Sequence, residues 1–272
     1  GIPAEPLFRS VSINPVNFEQ SFLEACENTR KENSFKRLHL NIWTEQMERW
    51  INMDEWDACA TPTFTHESLK GLLCVGGMDL STKKDLTAFV LVFRDREETY
   101  YIVPTFWLPR ANLKKKAEKD SVPYLEWAQD GFLETTPGDI IDYEYIRKKV
   151  NSLDKEFNIK EIGFDPHRAE QIAVQLDGDG LTMVEVAQSF GKLSEPSKEL
   201  EALLQARKIR HNGHPLLRWM AQNVSIETNA QGDIRPSKKE AKTRIDGITA
   251  LVNALSRIIL HKAIKRSRYE DE

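Results

Sequence analysis

The sequence predicts an α/β fold in which helices flank a central mixed β-sheet, made of a three-strand antiparallel meander plus parallel strands. Three observations support this prediction. Three apolar, β-rich runs follow one another with short polar loops between them, and a later passage alternates strand, helix and strand. A long amphipathic stripe then occupies the carboxyl-terminal region, where it favours a helix packed on the sheet.

The meander opens the predicted sheet. Its strands are expected at 72–80, 86–93 and 99–108, joined by the loops STKKD and RDREE. Gly76 and Gly77 lie inside the first run, where the missing side chains allow another part of the chain to approach the backbone closely.

The remaining elements follow from apolar spacing and from capping residues. Helices are expected at 109–119, 122–130 and 141–157, followed by a strand at 161–165, a helix at 168–176 and a strand at 181–187. Ser194 is expected to cap a helix that runs to Ala206. A polar loop at HNGHP, a helix at 215–223, a hairpin at 224–235 and a last helix from 241 to about 264 complete the chain.

Composition divides the 272 residues into an arm, a main domain and a tail. Residues 1–70 are expected to form a partly helical arm that carries three of the six tryptophans, with helices at 18–32 and 44–51. Residues 71–265 form the main domain, and 266–272 are a charged tail.

Several classes of protein are disfavoured by composition. No apolar run is long enough to span a membrane, and the first residues lack a signal-peptide core. The three cysteines include no CxxC pair, which disfavours a disulfide framework or a thiolate zinc site and fits a reducing, cytoplasmic setting. No GxxxxGK[ST] motif is present, so nothing in this chain indicates an ATPase.

Three aspartates are the candidate catalytic and metal-binding residues. Asp79 ends the first predicted strand, Asp165 ends a later strand in GFDPHRA, and Asp246 lies beside the apolar face of the last helix. An aspartate that ends a strand is commonly only a turn former or a helix cap. If the fold unites all three, their oxygens suit two Mg²⁺ or Mn²⁺ ions, a pair that can clamp a phosphodiester. Asp85 is a candidate fourth ligand.

Basic runs lie beside these acids, although the formal net charge is −4. Such runs are commonly solvated surface, but their placement here favours holding a polyanion near the acids. The expected DNA contacts are Lys83, Lys84, His167, Arg168, Lys192, Lys238, Lys239, Lys242 and Arg244.

The motifs GGMDLSTKKDLTAFVLVF, GFDPHRA, HNGHPLLRWMAQNV and KTRIDGITALVNAL occur in that order. From about residue 38 to 259 the chain resembles the nuclease half of the large terminase subunit of tailed bacteriophages and prophages, a ribonuclease H-like fold. The resemblance implies a metal-dependent endonuclease that cuts concatemeric double-stranded DNA, with Asp79, Asp165 and Asp246 as the metal ligands.

The resemblance also implies partners and a setting. Residues 1–70 would join a packaging ATPase domain whose motifs this chain lacks, and the small terminase subunit and the portal would be further partners. The expected location is the cytoplasm of the infected or lysogenic bacterial host. Two alternatives stay open: a junction resolvase or transposase-like nuclease of the same fold, and a non-catalytic module that docks on the portal or another terminase subunit.

Overall fold

The chain forms two compact units, residues 1–49 and 50–272. A computed structural model describes residues 15–27, 35, 39–40, 50–61, 64–80, 84–238 and 244–261. In the first unit, α1 spans Pro15–Glu27, and the ring of Phe18 lies 5.2 Å from that of Phe35. None of the described helices combines the length and the apolar character needed to cross a membrane.

The second unit contains nine strands among its described residues: β1 Leu73–Asp79, β2 Thr87–Arg94, β3 Tyr100–Pro109, β4 Glu134–Thr136, β5 Ile162–Phe164, β6 Met183–Glu185, β7 Ile209–His211, β8 Val224–Thr228 and β9 Ile234–Lys238. Its described α-helices are α2 Met53–Ala58, α3 His66–Leu69, α4 Leu113–Asp120, α5 Tyr124–Gln129, α6 Tyr143–Phe157, α7 Pro166–Gly178, α8 Phe190–Gln205, α9 Pro215–Asn223 and α10 Asp246–Ile258.

The main sheet has the strand order β4-β3-β2-β1-β5-β6, and β7 pairs with the first residues of β3. β1, β2 and β3 form the predicted antiparallel meander. β4, β5, β6 and β7 are each parallel to their neighbours. A mixed sheet flanked by helices is therefore confirmed, and β8 and β9 form the predicted separate hairpin.

Helices cover both faces of the sheet. On one face α6 buries Ile146, Val150, Leu153 and Phe157, which recur at helical spacing and pack with β1, β2 and β5. On the other face α10 buries its apolar stripe, together with residues of α8 and α9. Trp56, from the predicted arm, is fully buried in this second core and stacks on His211 at 4.6 Å between ring centroids.

Glycines let α10 lie directly on the sheet. A Cβ atom added to Gly77 on β1 would stand 1.9 Å from the backbone oxygen of Ala250, and one added to Gly163 on β5 would stand 2.7 Å from that of Asn253. The expected close backbone approach is confirmed at Gly77. Any side chain at these two positions would push the helix away from the strands.

Several sequence predictions need correction. α10 begins at Asp246 rather than near 241, since Ile245 has φ −134° and precedes the helix. The helix assigned to Ser194 begins at Phe190, and Ser194 lies buried inside it, where its hydroxyl accepts a hydrogen bond from the backbone N–H of Ile234 at 3.2 Å.

The strands β4 and β7 were not predicted, because ETT and IRH contain a single apolar residue between them, whereas the equally short β5 and β6 lie in apolar runs. The proposed polar loop at HNGHP is wrong for its first residue, since His211 ends β7 and is buried. α1 covers the predicted residues 18–27 and includes 15–17 as well, whereas 28–32 and most of the predicted helix at 44–51 lie outside the described residues.

We expect Gly77→Ala to lower the free energy of unfolding by about 3 kcal/mol, because its methyl group has no space beneath Ala250. Gly191→Ala is the matched control, since a Cβ there meets nothing within 4 Å and alanine favours the helix. Urea denaturation measures both. Equal stability of the two variants would contradict the packing argument.

Candidate metal centre

Asp79 and Asp165 end neighbouring parallel strands. In the β1–β5 register Met78 is paired with Phe164, so these two aspartates follow in adjacent positions. Gly77 and Gly163 face α10, and side chains two residues further along a strand point to the same face. Asp79 therefore projects on the face that α10 covers, and Asp165 follows β5 at the same edge of the sheet.

Asp246 reaches the same edge from the helix. Asp79, Ala88 and Phe106 form one row across β1, β2 and β3. A Cβ atom on Gly247 would lie 2.8 Å from the ring of Phe106, which places the start of α10 over this row. The fold thus brings the three predicted acids to one edge of the sheet, from three separate parts of the chain.

The carboxyl group of Asp246 is buried, with the residue only 3% exposed. Within the described part of the chain, its Oδ2 atom has no hydrogen-bond partner. Burial raises the pKa of Asp246 above its ordinary value, and the charge of Asp85 adds to this, while Lys238 and Arg244 oppose it. An acid held in this way is stabilised by any further cation that reaches it.

Asp165 is also a helix cap. Its Oδ1 accepts a hydrogen bond from the backbone N–H of His167 at 3.0 Å, and Pro166 occupies the first position of α7. The turn-former interpretation of this residue is therefore correct as local structure. It does not compete with metal binding, because a carboxylate has two oxygens and several lone pairs.

Asp85 lies in a network of ion pairs rather than beside the three acids alone. It pairs with Lys116 of α4 and, at 2.9 Å, with Nη2 of Arg244. Burial raises the pKa of Asp85, but the two cations outweigh it and hold the pKa below its ordinary value. Asp85 is therefore ionised, and it already has two positively charged partners.

The predicted DNA contacts fall into three groups. Lys84, His167, Lys192 and Lys238 are exposed, and Lys238 is near enough to lower the pKa of Asp246. Arg168 lies in the first turn of α7, and Arg244 is largely buried in ion pairs. Lys83, Lys239 and Lys242 lie outside the described residues.

The donor set suits a hard divalent ion, because it consists of carboxylate oxygens and one of them is buried without a partner. Among the described residues, no three His, Cys, Asp or Glu side chains are grouped tightly enough to hold one ion as they stand. The backbone brings the three acids to the same edge of the sheet. Binding of their side chains to a shared ion stays a prediction.

Sequence reasoning missed a fourth polar residue of this region. Asn253 is fully buried on α10, and its Nδ2 donates to the carbonyl of Met78, the residue before Asp79, at 3.0 Å. Its Oδ1 accepts from Nε2 of Gln188 at 3.3 Å. Asn253 thus ties α10 to the end of β1. The one available signal was a polar residue within an apolar helical stripe.

Comparison with known proteins gives consistent matches. A family model described as the terminase large subunit endonuclease domain matches residues 2–262. Protein YmfN of Escherichia coli strain K12 is 30% identical over 248 residues, which are 88% of this chain and 54% of that protein. The large terminase subunit of Enterobacteria phage HK97 is 30% identical over 223 residues, which are 81% of this chain and 43% of that subunit.

The crystal structure of the HK97 bacteriophage large terminase superposes with a TM-score of 0.70 at 28% identity, over 90% of this chain and 50% of that one. The predicted ribonuclease H-like fold is confirmed by this similarity. The chain spans about half the length of the relatives that it matches.

The Asp246→Asn variant tests the stability cost of burying this carboxylate. Because burial raises the pKa of Asp246, the folded metal-free protein binds this proton more tightly than the unfolded chain does. Its contribution to stability is complete below the unfolded pKa and is lost as the pH rises through the folded pKa. Asparagine removes that loss, so we expect the Tm of metal-free protein at neutral pH to rise by about 2–4 °C, measured by calorimetry.

The control for this measurement is Asp177→Asn, an exposed position on α7, which should leave the Tm unchanged. If Asp246→Asn lowers the Tm at neutral pH instead, then Lys238 and Arg244 already compensate the carboxylate fully, and the argument from burial is wrong.

Proposed function

Since the chain belongs to the family of terminase large subunit endonuclease domains, we propose that it is a metal-dependent endonuclease that cuts concatemeric double-stranded DNA during the packaging of a viral genome. The support comes from one observation above all. Asp79 and Asp165 follow paired residues of β1 and β5, and Asp246 begins α10, whose first turn lies over the row of residues that contains Asp79.

In this proposal the three aspartates hold two Mg²⁺ or Mn²⁺ ions, and Asp85 is an additional candidate ligand. Bound ions of this kind lower the pKa of a water molecule and stabilise the leaving 3′-oxygen. The chain itself orients the acids: the cap of α7 fixes Asp165, β1 fixes Asp79, and the seating of α10 fixes Asp246.

Basic side chains hold the DNA backbone against this edge. Lys84 and Lys238 are exposed near the acids, and Lys83, His167, Arg168, Lys192, Lys239, Lys242 and Arg244 complete the contacts expected from sequence. These residues would bind phosphate rather than read bases, so we expect cutting with little sequence preference. Family membership supports a packaging ATPase domain, the small terminase subunit and the portal as partners, and the cytoplasm of the bacterial host as the location.

Plasmid cleavage in Mg²⁺ or Mn²⁺ tests the assignment. We expect Asp79→Asn, Asp165→Asn and Asp246→Asn each to slow cleavage by about 10²–10³-fold, because each removes a charge worth several kcal/mol to the transition state. The exposed Asp177→Asn serves again as control and should cut like wild type.

If any one of these three variants cuts like wild type, its substituted residue does not belong to the site.

Comparison of linear, supercoiled and branched DNA separates a packaging nuclease from a junction resolvase, which would prefer the branched substrate. Calorimetry that detects no divalent metal binding by wild-type protein would favour the docking module.

DNA binding should be strongly salt-dependent. In EDTA, we expect the affinity for a DNA duplex to fall linearly with salt on a log–log plot, and Lys238→Ala to reduce the slope by about 1, as the loss of one phosphate contact does. Lys155→Ala removes an exposed lysine of α6, on the opposite face, and should leave the slope unchanged. Fluorescence anisotropy measures both, and equal slopes for the two variants would count against a contact at Lys238.

A further inference from the structure

Arg244 lies at the centre of a largely buried charge network beside Asp246. Its side chain is 11% exposed, its Nη2 lies 2.9 Å from Oδ1 of Asp85, and its Nε lies 3.4 Å from Oδ2 of Asp120. Asp120 ends α4, and its side chain has no exposed surface. One guanidinium thus bridges the β1–β2 connection and α4, two residues before Asp246.

The far end of the network is built to hold this arginine. Oδ2 of Asp120 also accepts a hydrogen bond from the hydroxyl of Tyr124 at 3.1 Å. Its Oδ1 is buried without a hydrogen-bond partner among the described residues, so the arginine is the cation that compensates this carboxylate. An arginine can reach two carboxylates at once through its planar fork, whereas a lysine ammonium is a single point charge.

We propose that Arg244 is a positioning residue of the metal centre, whose clamp between Asp85 and Asp120 fixes the start of α10 and, with it, Asp246. This inference rests on the proposed function. It replaces the phosphate contact expected of Arg244 from sequence, because the side chain of Arg244 is only 11% exposed and two of its nitrogens already face carboxylates.

A positioning role for Arg244 can be distinguished by experiment from a purely electrostatic role. If it acted only through its charge, its removal would strengthen metal binding, since a cation near the acids repels Mn²⁺. If it positions Asp246, its removal weakens metal binding, because the displaced carboxylate loses more binding free energy than the removal of a repelling charge gains. The two roles therefore predict opposite signs.

The experiment measures Mn²⁺-dependent thermal stabilisation and the Mn²⁺ concentration for half-maximal plasmid cleavage. We expect Arg244→Gln to raise the Mn²⁺ concentration for half-maximal thermal stabilisation and that for half-maximal cleavage by about tenfold each. This is the usual cost of losing a residue that orients a ligand. Arg244→Lys should fall between Arg244→Gln and wild type, since it restores the charge but not the fork.

Arg257→Gln is the matched control. Arg257 is also on α10 and forms a partly buried ion pair, with its Nη2 2.6 Å from Glu161, but it lies eleven residues from Asp246, about 16 Å along the helix. It should lower the Tm without moving the Mn²⁺ dependence by more than about twofold. If Arg244→Gln and Arg257→Gln behave alike, Arg244 is only structural and the inference is wrong.

Asp120→Asn keeps the test decisive if Arg244→Gln does not fold, because it loosens the same clamp from the other side and should raise the Mn²⁺ requirement in the same direction. An unchanged or lower requirement in both variants overturns the inference while leaving the nuclease function standing. Wild-type protein that shows neither Mn²⁺-dependent stabilisation nor cleavage would instead contradict the proposed function itself.

Discussion

The seating of α10 on the sheet is the constraint on which the rest of the structure depends. Gly77 and Gly163 bring the helix backbone into direct contact with β1 and β5, at a distance that no side chain would permit. The buried amide of Asn253 then bonds to the carbonyl of Met78 and fixes the helix along the strand. Because Asp79 follows Met78 and Asp246 begins the helix, this packing sets the separation between acids that come from opposite ends of the domain.

This packing brings several carboxylates close together, and nearby cations compensate their charges to different extents. Asp85 and Asp120 each have a cation within reach, and such pairs are costly to break because a buried charge is left behind. Asp246 has weaker compensation, since burial raises its pKa in spite of the charges of Lys238 and Arg244. This stability cost therefore lies on a residue that we propose as a metal ligand, and such costs are commonly retained where function needs them.

The features predicted from sequence are those that repeat at short range. The meander, the apolar stripe of α10 and the glycine pair on β1 can be recognised because alternation, helical spacing and a missing side chain are local signals. The start of α10 was misplaced because the periodic stripe does not show where the backbone leaves the helix. The pairing of Arg244 with Asp120, 124 residues away, has no local signal at all, and neither does the bond from Ser194 to β9.

Asp165 shows why structural and catalytic interpretations of one residue need not exclude each other. As a cap, it gives one oxygen to the first turn of α7, and this fixes the direction in which the carboxylate points. A metal ligand benefits from the same restriction, since an oriented side chain loses less freedom when it binds. Strand ends that lead into capped helices therefore supply acids that are already held in place. In the proposed centre, the fold itself would therefore orient part of the ligand set before any ion binds.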